Sequence, residues 1–203
     1  KVAVSFAEAA VYFPKNTIAW TGQPIRTEIE HGSARKEALK YFKLEEEISV
    51  ILILGGSQGA ELINNVILDA LPILIKNYQI IHQTGVKKFK TVSGQADVIL
   101  TEDRYRIKYL PFHFLNSLQT KMAAGAATII ISRAGSTLFE IASWGVPSIF
   151  IPFKNSNADH SRKNAFNYAR AGACSVIEEA NMTANILSSE IDRIIEDKED
   201  YKK

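Results

Sequence analysis

The 203-residue sequence is poor in cysteine, in long apolar runs and in net charge. A single cysteine, Cys174, rules out a disulfide framework within the chain and fits a reducing compartment. Cys174 sits in an apolar run, Ala171-Gly-Ala-Cys-Ser-Val-Ile177, and reads as a buried, inert thiol. No stretch reaches the roughly 18 apolar residues of a membrane-spanning helix. The formal net charge of +2 gives no electrostatic footprint for nucleic acid. The four histidines, His31, His82, His113 and His160, show no metal-ligand spacing with carboxylates or with Cys174. No repeat and no low-complexity tract is present. The first residues, Lys1-Val-Ala-Val-Ser-Phe6, read as a strand rather than a leader and carry no initiator Met, which suggests the middle of a longer protein.

What remains is an ordinary globular composition, 46% hydrophobic and 23% charged. A Gly/Pro turn at Thr21-Gly-Gln-Pro-Ile-Arg26 reads as a domain junction, and residues 33–46 as a polar helix. From residue 49 the pattern becomes regular. Ser49-Val-Ile-Leu-Ile-Leu54 is a continuous apolar run, the mark of a strand buried on both faces. Leu62, Ile63, Val66, Ile67, Ala70 and Leu71 then recur at helical spacing. Further strands are expected at 78–82, 97–100, 107–110, 128–131, 148–151 and 174–177. Helices are expected near 115–125, 137–144, 159–170 and 183–197, and the basic cluster Lys87, Lys88, Lys90 reads as a solvated helix start. Alternating strands and helices predict an α/β fold, a Rossmann-like parallel sheet with helices on both faces. Ligands bind such sheets outside the carboxyl ends of the strands.

Three of those strand-to-helix junctions carry unusual chemistry. Gly55-Gly-Ser-Gln-Gly59 follows the first buried strand. Its glycines admit close approach of the backbone, and helix-terminal amides favour an anion such as a diphosphate by ~0.3–1 kcal/mol. The plainer alternative is a tight turn with Ser57 as helix cap. The same residues match the G-x-S-x-G nucleophile elbow of hydrolases. That reading fails: only residues 1–54 precede the loop, and the one histidine late in the chain, His160, adjoins Asp159, where helix neighbours do not face each other.

The second junction is Ser132-Arg-Ala-Gly-Ser-Thr-Leu-Phe-Glu140. Gly135, Ser136 and Thr137 offer amides and hydroxyls to phosphate. Glu140 either accepts the hydroxyls of a ribose or closes a capping box with Thr137. The third junction, residues 151–165, is polar. His160 and Ser161 either hydrogen-bond a sugar there or belong to a solvated loop capped by Asp159.

Taken together, Gly55-Gly-Ser-Gln-Gly-Ala60 with Asn64, His82-Gln-Thr-Gly85, Ser132-Arg-Ala-Gly135 with Glu140, Gly145-Val-Pro147, Ile151-Pro-Phe153 and Asp159-His160 with Asn164-Ala165 resemble, in order, the carboxyl half of the family 28 glycosyltransferases that convert lipid I to lipid II. The resemblance implies a GT-B architecture of two Rossmann-like domains. It makes residues 1–22 a remnant of the amino-terminal acceptor domain and linker, and residues 23–203 the UDP-sugar donor domain. It implies inverting, metal-independent transfer of N-acetylglucosamine from UDP-N-acetylglucosamine to lipid I, with no cofactor. The full-length enzyme would work at the inner face of the bacterial cytoplasmic membrane, in peptidoglycan synthesis. By position, Arg26 and the loop Gly56, Ser57 and Gln58 would meet the diphosphate. Ser136 and Thr137 would line it, Glu140 would hold the ribose, backbone near Phe112 and His113 would read uracil, and His160 and Ser161 would face the sugar. The family's pattern has Gln where Ser161 stands, a shorter segment over 112–121, and one more residue between Arg133 and Glu140. Its amino-terminal domain carries a Gly-rich loop ending in His and the expected general base, so no catalytic residue is assigned here. A fragment, an excised piece or one subunit of a split enzyme is expected, binding UDP-sugar without turning it over alone.

Overall fold

The computed structural model describes residues 1–55, 61–153, 160–170, 172 and 174–197, the side chains of Ala7, Glu8 and His160 excepted. The strands are β1 Val2–Val4, β2 Ile18–Trp20, β3 Val50–Leu54, β4 Gln79–Gln83, β5 Tyr109–Phe112, β6 Ile129–Arg133, β7 Ser148–Ile151 and β8 Cys174–Val176. The helices are α1 Arg35–Phe42, α2 Glu61–Leu74, α3 Phe89–Ile99, α4 Asp103–Arg106, α5 Ser117–Ala126, α6 Thr137–Trp144, α7 His160–Arg170 and α8 Ala184–Glu196.

β3 to β8 form a six-stranded parallel sheet in the order β5-β4-β3-β6-β7-β8. This is the doubly wound arrangement, whose direction of winding reverses between β3 and β6. Every residue of β3, β4, β6 and β7 is buried, as the apolar runs of β3, β6 and β7 require; β4 buries His82 and two glutamines as well. Alternation of side chains splits the core into two layers. Ile51 and Ile53 face the layer completed by α2 and α8, with Ile63, Ile67, Leu71, Leu74, Leu187 and Ile191. Val50, Leu52 and Leu54 face the other, with Leu39, Ala123, Leu138, Ile141 and Ala165. α2 buries Ile63, Val66, Ile67, Ala70, Leu71 and Leu74, the spacing of one helical face.

Local signals fix the ends of the helices on both sides of the sheet's strand ends, at the mouth and opposite it. Asn116 caps α5 in a full capping box with Gln119. Gly145, at φ 63°, ends α6 in the left-handed conformation that glycine adopts without steric cost. α5 also packs backbone to backbone against the segment before α1: a Cβ at Gly125 would lie 2.3 Å from the Ser33 carbonyl oxygen.

The expected strand at 97–100 is a correction. Those residues close α3 and its C-cap, where Val92 and Ala96 are buried one helical turn apart. A four-residue apolar run does not distinguish strand from helix by itself. The expected strand at 107–110 shifts to Tyr109–Phe112. β1 and β2 pair in parallel only with each other, in a small separate sheet.

Candidate functional site

At the winding reversal, Leu54 of β3 and Ser132 of β6 are register partners. Ser132 Oγ donates to the Leu54 carbonyl at 3.3 Å, and the Gly55 amide donates to the Gln83 carbonyl at 3.1 Å. The crevice therefore opens over β4, β3 and β6. The glycine-rich residues Gly56, Ser57 and Gln58 lie outside the described residues, bracketed by Gly55 and the start of α2.

A buried polar network fastens α2 to this end of the sheet. Tyr109 Oη lies 2.8 Å from His82 Nδ1, and His82 Nε2 lies 3.0 Å from Asn64 Oδ1. Asn64 Nδ2 in turn donates to the Thr84 carbonyl at 3.0 Å. Because Asn64 spends its amide on Thr84, its oxygen accepts from His82 Nε2–H, and the neutral ring accepts from Tyr109 at Nδ1. His82 is fully buried, and desolvation pushes its pKa down to about 3. The His82-Gln-Thr-Gly85 and Asn64 motifs thus hold the helix that follows the glycine-rich loop.

The second junction leaves β6 at Arg133 and enters α6 at Thr137. Gly135 and Ser136 are exposed there. The Ser136 and Thr137 amides carry no hydrogen bond among the described residues, so the helix terminus presents free donors to the crevice. The capping box between Thr137 and Glu140 does not form. The N-cap position is Ser136, without a side-chain cap bond, and the Glu140 carboxylate is engaged elsewhere. Arg26 Nε and Nη2 reach Glu140 Oε1 and Oε2 at 2.8 and 3.2 Å, a two-pronged ion pair between residues 114 positions apart. The carboxylate raises the Arg26 pKa further, chiefly through this hydrogen bond.

The pair borders a cavity of about 200 Å³ whose other walls are Leu54, Gln83, Phe114, Leu115, Thr120 and Thr137. Phe112 and His113 lie outside this lining. Phe112 stacks edge-on against Phe42, and its carbonyl accepts from the Thr84 amide. His113 is exposed and packs against Phe89. The residues brought to the cavity are Phe114 and Leu115, two positions on. The Leu115 amide donates to Gln83 Oε1 at 2.9 Å, and its carbonyl accepts from Thr120 Oγ1 at 3.2 Å, so both backbone groups are fixed. Sequence reasoning gave Gln83 no role. Its signal was a polar residue ending a strand otherwise buried throughout.

A second cavity, of about 510 Å³, adjoins Gly135 and Ser136 and is closed by Phe139, Phe153, Ser161 and Asn164 together with Val4, Phe6 and Gln23 of the first segment. Ser161 Oγ accepts from the Phe153 amide at 3.0 Å and is buried, so part of its hydrogen-bonding capacity holds the loop. α7 begins at His160, whose side chain lies outside the description, as does Asp159. Arg133 braces the same loop. Its Nη1 meets the Ile151 carbonyl at 3.3 Å and Glu179 Oε1 at 2.5 Å, and its guanidinium sits 4.3 Å from the centre of the Phe153 ring.

Cys174 is buried, and desolvation pushes its thiol up to about 12, which suits an inert core group. A cavity of about 750 Å³ at the opposite end of the sheet is lined by Ser49, Thr128 and Pro147, which precede β3, β6 and β7. It lies at the amino ends of the strands, away from the crevice where ligands of such sheets bind. No helix among the described residues is long and apolar enough to cross a membrane.

Comparison with known proteins identifies the family and the fold. The UDP-N-acetylglucosamine--N-acetylmuramyl-(pentapeptide) pyrophosphoryl-undecaprenol N-acetylglucosamine transferase of Pediococcus pentosaceus is 34% identical over 204 residues, covering 97% of this chain and 53% of that protein. The protein of the same name from Thermodesulfovibrio yellowstonii is 35% identical over 198 residues, with coverage of 96% and 52%. The chain thus spans about half the length of the curated relatives it matches. The crystal structure of Acinetobacter baumannii MurG superimposes with a TM-score of 0.67 at 24% identity, covering 95% of this chain and 55% of that one, a likeness of fold. Residues 50–203 match the model of the glycosyltransferase family 28 C-terminal domain, and the chain belongs to that family.

Proposed function

We propose that this chain is the donor-binding half of an inverting, metal-independent N-acetylglucosaminyltransferase that moves N-acetylglucosamine from UDP-N-acetylglucosamine to lipid I, forming lipid II in peptidoglycan synthesis. The observation that carries the proposal is the crevice between β3 and β6. There a carboxylate, an arginine and the free amides of the α6 terminus converge beside a cavity sized for a nucleoside. In this reading Glu140 accepts the ribose hydroxyls. Arg26, the Ser136 and Thr137 amides and the loop Gly56, Ser57 and Gln58 take the diphosphate. Stabilising charge that grows on the departing UDP is electrostatic catalysis by preorganised donors. The base lies over Phe114 and Leu115 rather than at Phe112 and His113. The sugar extends toward the second cavity, near Ser161 and His160.

Residues 1–22 are assigned to the amino-terminal acceptor domain and linker. β1 and β2 stand apart from the main sheet, and Val11, Tyr12 and Trp20 of this segment are exposed, in support of that assignment. That partner half supplies the general base for the C4 hydroxyl of the acceptor and the contact with the inner face of the cytoplasmic membrane. The chain alone binds donor and does not turn it over. Soaking crystals with UDP-N-acetylglucosamine tests the reading. Density for the ribose against Glu140 and for the diphosphate at the α6 terminus is expected; nucleotide at the amino ends of the strands would contradict it. Titration with UDP-N-acetylglucosamine against UDP-glucose tests the sugar, and equal affinity would move the proposal to another hexose.

A further inference from the structure

Arg26 and Glu140 come from different parts of the chain yet meet directly. Arg26 ends the irregular segment 21–26, and Glu140 is the fourth residue of α6. The Arg26 side chain is 49% exposed, whereas that of Glu140 is 14% exposed. Among the described residues Glu140 is the only hydrogen-bonding partner of the Arg26 side chain, so its carboxylate aims this half-exposed guanidinium at the crevice.

A guanidinium has five N–H donors on a planar fork. Here the Nε–Nη2 edge is spent on Glu140. Both Nη1 donors and the second Nη2 donor remain unspent. Each carboxylate oxygen likewise keeps a lone pair after accepting one bond. The pair therefore retains acceptors for two hydroxyls on one side and donors for an anion on the other. It also resolves an electrostatic conflict. A carboxylate gripping the ribose lies close to the diphosphate of the same ligand, and like charges at such separations repel. A cation fixed between them cancels the carboxylate where the diphosphate lies.

We propose that Arg26 is a positioning residue for Glu140 as well as a diphosphate ligand: one edge of its guanidinium orients the carboxylate for the ribose hydroxyls while the other meets the phosphates. The proposal rests on the donor-site reading above. It makes a prediction that a plain phosphate-binding arginine does not. Uridine carries no phosphate, yet its affinity depends on Arg26, because an unheld Glu140 must be ordered at the moment of binding.

The experiment is a titration of the 203-residue chain with uridine and with UDP, followed by NMR. It compares the wild type with Arg26→Met, Arg26→Lys, Glu140→Gln and the Arg26→Met/Glu140→Gln double variant. Ordering one rotamer-rich side chain corresponds to about 3–10-fold in affinity. Arg26→Met is expected to weaken uridine by that factor. Arg26→Lys, which keeps the charge but loses the fork, recovers part of the UDP affinity and none of the uridine affinity. In the Glu140→Gln background, Arg26→Met has no further effect on uridine. Unchanged or tighter uridine binding by Arg26→Met, beside weakened UDP binding, would overturn the proposal and leave the donor-site reading intact. So would an equal loss of uridine in the Glu140→Gln background, which would report a structural defect rather than positioning. Failure of the wild type to bind UDP would overturn both.

Discussion

The buried histidine at the root of the crevice makes the stability of this chain depend on pH in a calculable way. His82 titrates near 6.5 when unfolded and near 3 in the fold, because its imidazolium would be desolvated between Tyr109 and Asn64. The folded pKa is the lower one, so the unfolded chain binds more protons between the two values. Stability is therefore fully present above the unfolded pKa and falls as pH drops below it. Each pH unit well inside the window changes stability by about 1.4 kcal/mol. From about pH 7.5 to about pH 5.5 the loss is about 1.4 kcal/mol, roughly three-quarters of it below about pH 6.5. Glu190, held below the ordinary carboxylate value by its bonds to Arg193, contributes in the same direction only at more acid pH. Urea unfolding at three pH values in this range measures the slope, and His82→Gln provides the control. The variant should be less stable near neutrality, because it breaks a satisfied buried network, but its stability should be flat over the same interval. A wild type as flat as the variant would refute the buried, neutral state assigned to His82.

The other predictions concern the mouth of the sheet. Glu140→Ala removes a charged acceptor from the nucleoside site and should weaken UDP binding by ~10–100-fold, measurable by calorimetry, with little change in melting temperature. Glu179→Gln leaves the buried Arg133 guanidinium without its counter-charge. Glu179 is itself 21% exposed, which sets the expected loss at the lower end for a broken buried pair, about 3 kcal/mol in chemical unfolding.

The sheet was legible because its central strands are buried on both faces. Ser49 to Leu54, Thr128 to Ile131 and Ser148 to Ile151 each read as an unbroken apolar run bounded by turn residues, and the helix after residue 60 declares itself by spacing. The run at 97–100 misled because four apolar residues fit the end of an amphipathic helix as well as a strand. At the site, Glu140 and the amides of residues 136 and 137 were legible as helix-terminal chemistry. What decides the role of Glu140, the bond to Arg26, was not, since no local pattern reports a contact across 114 residues. The residues that line the cavity, Phe114 and Leu115, stand two positions beyond Phe112 and His113 for a related reason. Phe112 closes the strand and His113 follows it, and the turn that reaches the cavity is set by a long-range bond from Leu115 to Gln83. The helix-terminal position of Ser161 leaves a sugar ligand and a solvated loop both open. Its bond to the Phe153 amide shows that the same hydroxyl also serves the loop.

The central claim is that the carboxyl ends of β3 and β6 form a site for a uridine diphosphate sugar. Calorimetric titration of the chain with UDP, alongside Glu140→Ala, tests it most directly. The account predicts saturable one-to-one binding by the wild type that is weakened at least tenfold in the variant, as loss of one charged hydrogen bond implies (~1.5 kcal/mol or more). Absence of heat with UDP, or equal affinity in both proteins, would contradict it.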